Sequence, residues 1–149
     1  MMLLSIVGNE YCEGVYLEAA LNYSLQHHHS TTLLIADEVY WHNLKPRSTK
    51  KPLSQDRIDQ FKQEALALGT QYFERNLQHF LAPLHISAQN FNQEHGTKST
   101  SEKIAIINQL AHHAGLNFKI LGWQDWINTH PDFKKTKLLL CNSIQQFKN

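Results

Sequence analysis

The residues of this chain whose types and spacing could do chemistry are a strand hydroxyl, a run of cations and a set of histidines. Ser5 lies inside the apolar run Met2–Val7, three residues before Gly8-Asn9. A hydroxyl at the end of a buried strand can act as a nucleophile towards an acyl group. The plainer role for such a serine is a hydrogen-bonded core position. Gly8 marks a tight strand-to-helix turn. The chain has no G-x-G-x-x-G, no G-x-x-x-x-G-K and no G-x-S-x-G, so it carries no dinucleotide fingerprint, no P-loop and no hydrolase elbow. Lys45, Arg47, Lys50 and Lys51, with Arg57 and Lys62 just beyond, make the densest positive stretch. Such a patch suits a phosphate backbone and equally an ordinary solvated loop. The ten histidines do not point to a metal. His27-His28-His29 are consecutive and His112-His113 adjacent, so their rings diverge, whereas a zinc site needs ligands at helix or turn spacing. No metal and no cofactor is expected.

The elements that must position these residues begin with Met2–Val7, a continuous apolar run closed by Gly8-Asn9, as in a parallel strand covered on both faces. Residues 13–26 place Leu17, Leu21 and Leu25 at steps of four and read as a helix. Thr31–Ala36 is a second β-rich run, ending at Asp37. Strand, helix and strand in this order form a βαβ unit, so the fold class is α/β. A ligand crevice is expected beyond the carboxyl ends of the strands, near Gly8-Asn9 and Asp37. Residues 45–54 read as a loop, and Ser54 as the cap of a helix carrying Ile58, Phe61, Ala65, Leu68 and Tyr72 as far as Ala82, where Pro83 stops it. Gly69 is expected to loosen the middle of that helix. Ser87–Ser99 is polar and reads as an exposed loop. Ser99 and Glu102 have capping-box spacing, and Gly115 stands where a helix-ending glycine belongs. Phe118–Leu121 reads as a third strand and Gly122–Trp126 as the opening of another helix, with Trp123 and Trp126 as core rather than a base-stacking platform.

The chain has 149 residues, 42% of them hydrophobic, with 14 Lys+Arg against 13 Asp+Glu. One domain with a sizeable core is expected. A net charge of +1 excludes a polybasic protein that binds through bulk charge, leaving only a local patch. Cys12 and Cys141 make no disulfide framework and suit a reducing cytoplasm. The apolar start is too short to span a membrane and lacks the form of a signal peptide, so no membrane partner is expected.

Several stretches also follow one another in a known order. They are the opening strand with Gly8-Asn9-Glu10-Tyr11, then Leu33-Leu-Ile-Ala-Asp37, and then Glu38-Val-Tyr-Trp-His-Asn-Leu44. Ala65-Leu-Ala-Leu-Gly69 through Glu74-Arg-Asn76, Gly122-Trp-Gln-Asp-Trp-Ile127 and His130-Pro-Asp-Phe133 come next. Together they resemble the tRNA-dependent cyclodipeptide synthases. The resemblance implies a Rossmann-like fold, a mostly parallel sheet flanked by helices, like the catalytic domain of class I aminoacyl-tRNA synthetases. It implies transfer of an aminoacyl group from aminoacyl-tRNA to a strand serine, joining to the residue of a second aminoacyl-tRNA, and release of a cyclic dipeptide. An aminoacyl ester is already activated, so such a reaction needs a positioned hydroxyl more than a strong base.

Carried over residue by residue, the resemblance makes Ser5 the nucleophile and Asn9 the pocket asparagine. Gly8, Tyr11 and Asp37 become substrate-binding, and Lys45, Arg47, Lys50, Lys51, Arg57 and Lys62 tRNA-binding. The family pattern is Gly-x-Ser-x-Gly-Asn. Counted back from Gly8, the serine position falls on Ile6 and the first glycine on Leu4, so a bulge is needed to bring Ser5 to the site. The family's Tyr and Glu that hold the substrate amine, and its later His, come from a segment past the last matched stretch. An alternative expectation is an inactive relative that binds tRNA or another phosphate ligand through the 45–62 cations. A further one is a shortened remnant that forms a homo-oligomer through an exposed apolar patch.

Overall fold

The structure is a computed structural model that describes residues 1–46 and 51–129. Arg47, Lys50, Cys141 and the stretch His130-Pro-Asp-Phe133 lie outside the described residues. The chain is α/β, with a parallel sheet flanked by helices. Three strands, β1 (Met2–Leu4), β2 (Thr31–Ile35) and β3 (Phe118–Gly122), lie in the order β1-β2-β3. Their register pairs Leu4 with Ile35 and, on the other side of β2, Leu33 with Ile120. β1 joins β2 through α1 (Gly14–His27), whose Leu17 and Leu21 are fully buried. Each such leucine contributes about 1.5–3 kcal/mol by leaving water, which fastens the helix to the sheet.

From β2 the chain runs through a 3-10 turn at Glu38–Tyr40, α2 (Trp41–Leu44) and α3 (Gln55–Arg75). It continues in α4 (Leu77–Leu81), α5 (Ala88–His95) and α6 (Thr100–His113), and α7 (Trp123–Thr129) follows β3. One face of the sheet, with Leu4, Leu33, Ile35, Phe118 and Ile120, packs with α1, Phe80 and Leu81 of α4, and Ile107 and Ala111 of α6. The other face, through Leu34, packs against Trp123, Trp126 and Ile127 of α7. The tryptophans are core, as their spacing suggests.

Some boundaries differ from those expected. The helix that begins at the Ser54 cap does not run unbroken to Ala82: it ends at Arg75, because Asn76 leaves helical geometry (φ −106°, ψ 6°) and turns its side-chain amide to the Tyr72 carbonyl. The polar stretch after Ser87 is not a loop but holds α5. Ser87 caps it by accepting from the Asn90 N–H, and the single apolar residue Phe91 is buried deeply enough to hold it down. The capping box at Ser99 and Glu102 is formed, and Gly115 takes the left-handed conformation (φ 73°) after α6.

Candidate functional site

β1 and β2 end side by side, and the chain leaves them by two loops. After β1, Ile6 stays fully buried, and Gly8 adopts a φ of 75° that side chains rarely tolerate. Asn9 then caps a 3-10 turn at Glu10–Cys12, its side chain accepting from the Tyr11 N–H at 3.1 Å. This loop is tied to the end of α3. The Arg75 guanidinium donates to the Ile6 carbonyl at 2.8 Å and also grips the Glu13 carboxylate. Asn76 is 2% exposed; it accepts from the Gly14 N–H at 2.9 Å and donates to the Tyr72 carbonyl at 2.9 Å. The Tyr72 hydroxyl donates to the Cys12 carbonyl at 2.5 Å. The hydrogen bond from Arg75 holds the Glu13 carboxyl below its ordinary range against the upward push of burial, with Asn76 and the Arg75 charge assisting. Burial above all pushes the Tyr72 hydroxyl far up, so it stays a neutral donor. Gly8, Asn9, Glu10, Tyr11 and Glu13 line an open cleft of about 490 Å³ here.

The structure brings together Gly8, Asn9 and Tyr11 of the expected site residues, but not Ser5. The ladder runs residue for residue as Met2–Leu33, Leu3–Leu34 and Leu4–Ile35 and ends there, so β1 stops short of the expected Val7 and Ser5 lies just past the strand. Leu4 and Ile6 both enter the core cluster, whereas Ser5 between them is half-buried and does not line the cleft of Gly8 and Asn9. Its hydroxyl donates weakly, at 3.3 Å, to the Val7 carbonyl.

Asp37 is also absent from that cleft. It caps the 3-10 turn after β2, its Oδ1 accepting from the Glu38 N–H at 2.7 Å and from the Trp123 N–H at 3.1 Å. It therefore fastens the ends of β2 and β3 to one another. α3 crosses directly over it at Gly69, where a Cβ would lie 2.5 Å from the Asp37 Cβ. Gly69 does not break α3, which is continuous from Gln55 to Arg75; it lets the helix pack directly on Asp37. Burial pushes the Asp37 carboxyl upward, the backbone N–H bonds oppose this, and the neighbouring Glu38 charge adds to it.

The described cations gather on aromatic rings. Lys45 Nζ lies 5.4 Å and Lys62 Nζ 6.0 Å from the centre of the Trp41 ring, and the Arg57 guanidinium lies 5.2 Å from that of Phe61. Lys51 is exposed. Lys62 also lies 3.4 Å from Glu38 Oε1, and Asp56, Asp59 and Glu64 share the α3 face between Arg57 and Lys62. The cations thus flank an acidic face and do not form a stripe of their own. Among the described residues no three His, Cys, Asp or Glu side chains are grouped to hold a metal, and no helix is long and apolar enough to cross a membrane.

Sequence reasoning missed the ties from Arg75 and Asn76 to the first loop, and it missed Glu38, now buried in the second. Contacts across about sixty positions leave no periodic signal. The one hint was the polar pair Asp37-Glu38 closing an apolar run. Compared with protein-family models, with curated proteins and with solved structures, the chain finds no match.

Proposed function

We propose that this chain is a binding domain of the class I synthetase-like kind, related to the cyclodipeptide synthases. In this reading it holds the phosphate-bearing end of aminoacyl-tRNA, or a like phosphate ligand, without forming a serine ester. The observation that carries this reading is the burial of Ile6 just past β1. The side chain at the family's nucleophile position is Ile6, fully buried, while the Ser5 hydroxyl lies outside the cleft of Gly8 and Asn9. The binding part is supported by Lys45 and Lys62, which come from different elements yet both lie over Trp41. Arg57, over Phe61, and the exposed Lys51 are further cations that could meet the same ligand. The ring, packed on His42, holds the two ammonium groups near one another, which suits contact with a phosphate.

The test is tRNA affinity against salt, with mass spectrometry for cyclic dipeptides in medium from cells expressing the chain. The expected result is no cyclic dipeptide, with binding that weakens in salt with a log–log slope of about −3 for four contacts. Neutralising Lys45, Lys51, Arg57 and Lys62 should abolish that slope. Tight binding indifferent to the four substitutions overturns the binding reading. A second reading, a working cyclodipeptide synthase, is favoured by one observation: Ser5 is only partly buried and its single hydrogen bond is long. A cyclic dipeptide that disappears with Ser5→Ala would establish it.

A further inference from the structure

The turn after β2 leaves part of a charge without a partner. Glu38 is 8% exposed, and its Oε1 lies 3.4 Å from the Lys62 ammonium. Its Oε2 is buried and has no hydrogen-bond partner among the described residues. A carboxylate oxygen kept in that condition is costly unless something satisfies it. Glu38 walls a cleft of about 340 Å³, together with Asp59, Lys62, Gln63 and Leu66 of α3 and Gln124 of α7. That volume lies at the small end of the range for small-molecule sites, about 300–1,000 Å³.

The geometry points to this cleft as a binding site for a free α-amino acid, with the ammonium on Glu38 and the carboxylate on Lys62. Two carboxylates, Glu38 and Asp59, face a single lysine, so the cleft favours a ligand that carries an ammonium group. Lys62 is not committed to Glu38: 3.4 Å is long for a charge-assisted bond, which is about 2.7–2.9 Å. A ligand carboxylate would compete for its ammonium with this loose pairing and with the Trp41 ring, 6.0 Å away. Gln63 and Gln124 each offer a donor and an acceptor, and Leu66, 37% exposed, offers apolar surface to a side chain. A metal ion is disfavoured by Lys62 and by the lack of a third ligating side chain. A phosphate is disfavoured by the two carboxylates. The site is separate from the Gly8–Asn9 cleft but shares Lys62 with the proposed phosphate contacts, so the titrations below are made without tRNA and their failure leaves that reading untouched.

Isothermal titration of the full chain with L-leucine, L-leucinamide and N-acetyl-L-leucine tests this. L-leucine is expected to bind saturably, and N-acetyl-L-leucine, which lacks the ammonium, at least about tenfold more weakly. Glu38→Gln should weaken L-leucine about tenfold or more, and Lys62→Met should weaken L-leucine while leaving L-leucinamide unchanged. The ligand comparison uses the unaltered chain, so it remains decisive if a variant fails to fold. No saturable binding of L-leucine below about 10 mM overturns the proposal. So does N-acetyl-L-leucine binding as tightly as L-leucine, or a folded Glu38→Gln variant that binds L-leucine normally. L-leucinamide binding as tightly as L-leucine would reduce the site to an amine pocket and overturn the carboxylate role of Lys62.

Discussion

The loop after β1 and the turn after β2 leave neighbouring strands at the same end of the sheet, yet they use their polar groups in opposite ways. In the first, Glu13, Tyr72, Arg75 and Asn76 hold one another and the backbone of the loop. In the second, Asp37 is partnered, but Glu38 Oε2 and the Trp123 indole N–H are buried without hydrogen-bond partners among the described residues. A saturated network holds a shape; unmet polar groups beside a cleft wait for something to meet them. The difference is the reason for proposing a ligand at the second loop rather than at the first. The first, where the family resemblance places a nucleophile, is a brace.

The comparison can be broken first at the point where α3 crosses the second loop. Gly69→Ala places a Cβ against Asp37, and overpacking of this kind costs about 3 kcal/mol. Alanine's better helix preference returns only about 1 kcal/mol, so the variant should be destabilised in urea unfolding. Next comes Asn76→Ala, which leaves the Gly14 N–H unpaired and frees the first loop from α3. A loss of about 2 kcal/mol is expected, with unfolding again the measurement.

Titration separates the two loops by sign. The Glu13 carboxyl is held down, so its contribution is present above the ordinary carboxylate range and is lost as pH falls through that range. The Asp37 carboxyl is pushed up, so the folded state holds that proton more tightly than the unfolded chain does, and stability falls as pH rises through the raised value. Unfolding midpoints from about pH 3 to about pH 8 should lose the acid-side fall in Glu13→Gln and the alkaline-going fall in Asp37→Asn. The same sign in both variants would remove the contrast. The smallest effect is expected from Ser5→Ala, within about 0.5 kcal/mol, because among the described residues the Ser5 hydroxyl makes one long hydrogen bond. A larger loss would mean that Ser5 is held more firmly than its geometry indicates.

The opening strand, helix and strand were legible because Leu17, Leu21 and the apolar runs obey local periods that survive folding. Ser99, Glu102 and Gly115 were legible for a similar reason: caps are local chemistry. Phe91 was not, since one apolar residue among polar ones makes no pattern until a neighbour covers it. Gly69 was read through helix propensity, while its real role, close approach to Asp37, depends on a residue 32 positions away. The register of Ser5 was legible as a count from Gly8. That the strand would stop at Leu4 and leave Ser5 past the ladder depended on the pairing with β2, which only the fold supplies.

The most direct test of the central claim is intact-protein mass spectrometry after incubation with charged tRNA, quenched at low pH to preserve esters. The account expects the unmodified mass, with tRNA bound in a salt-dependent manner. A mass increase of one aminoacyl group, mapped to Ser5 and absent in Ser5→Ala, would contradict it and make the first loop an active site.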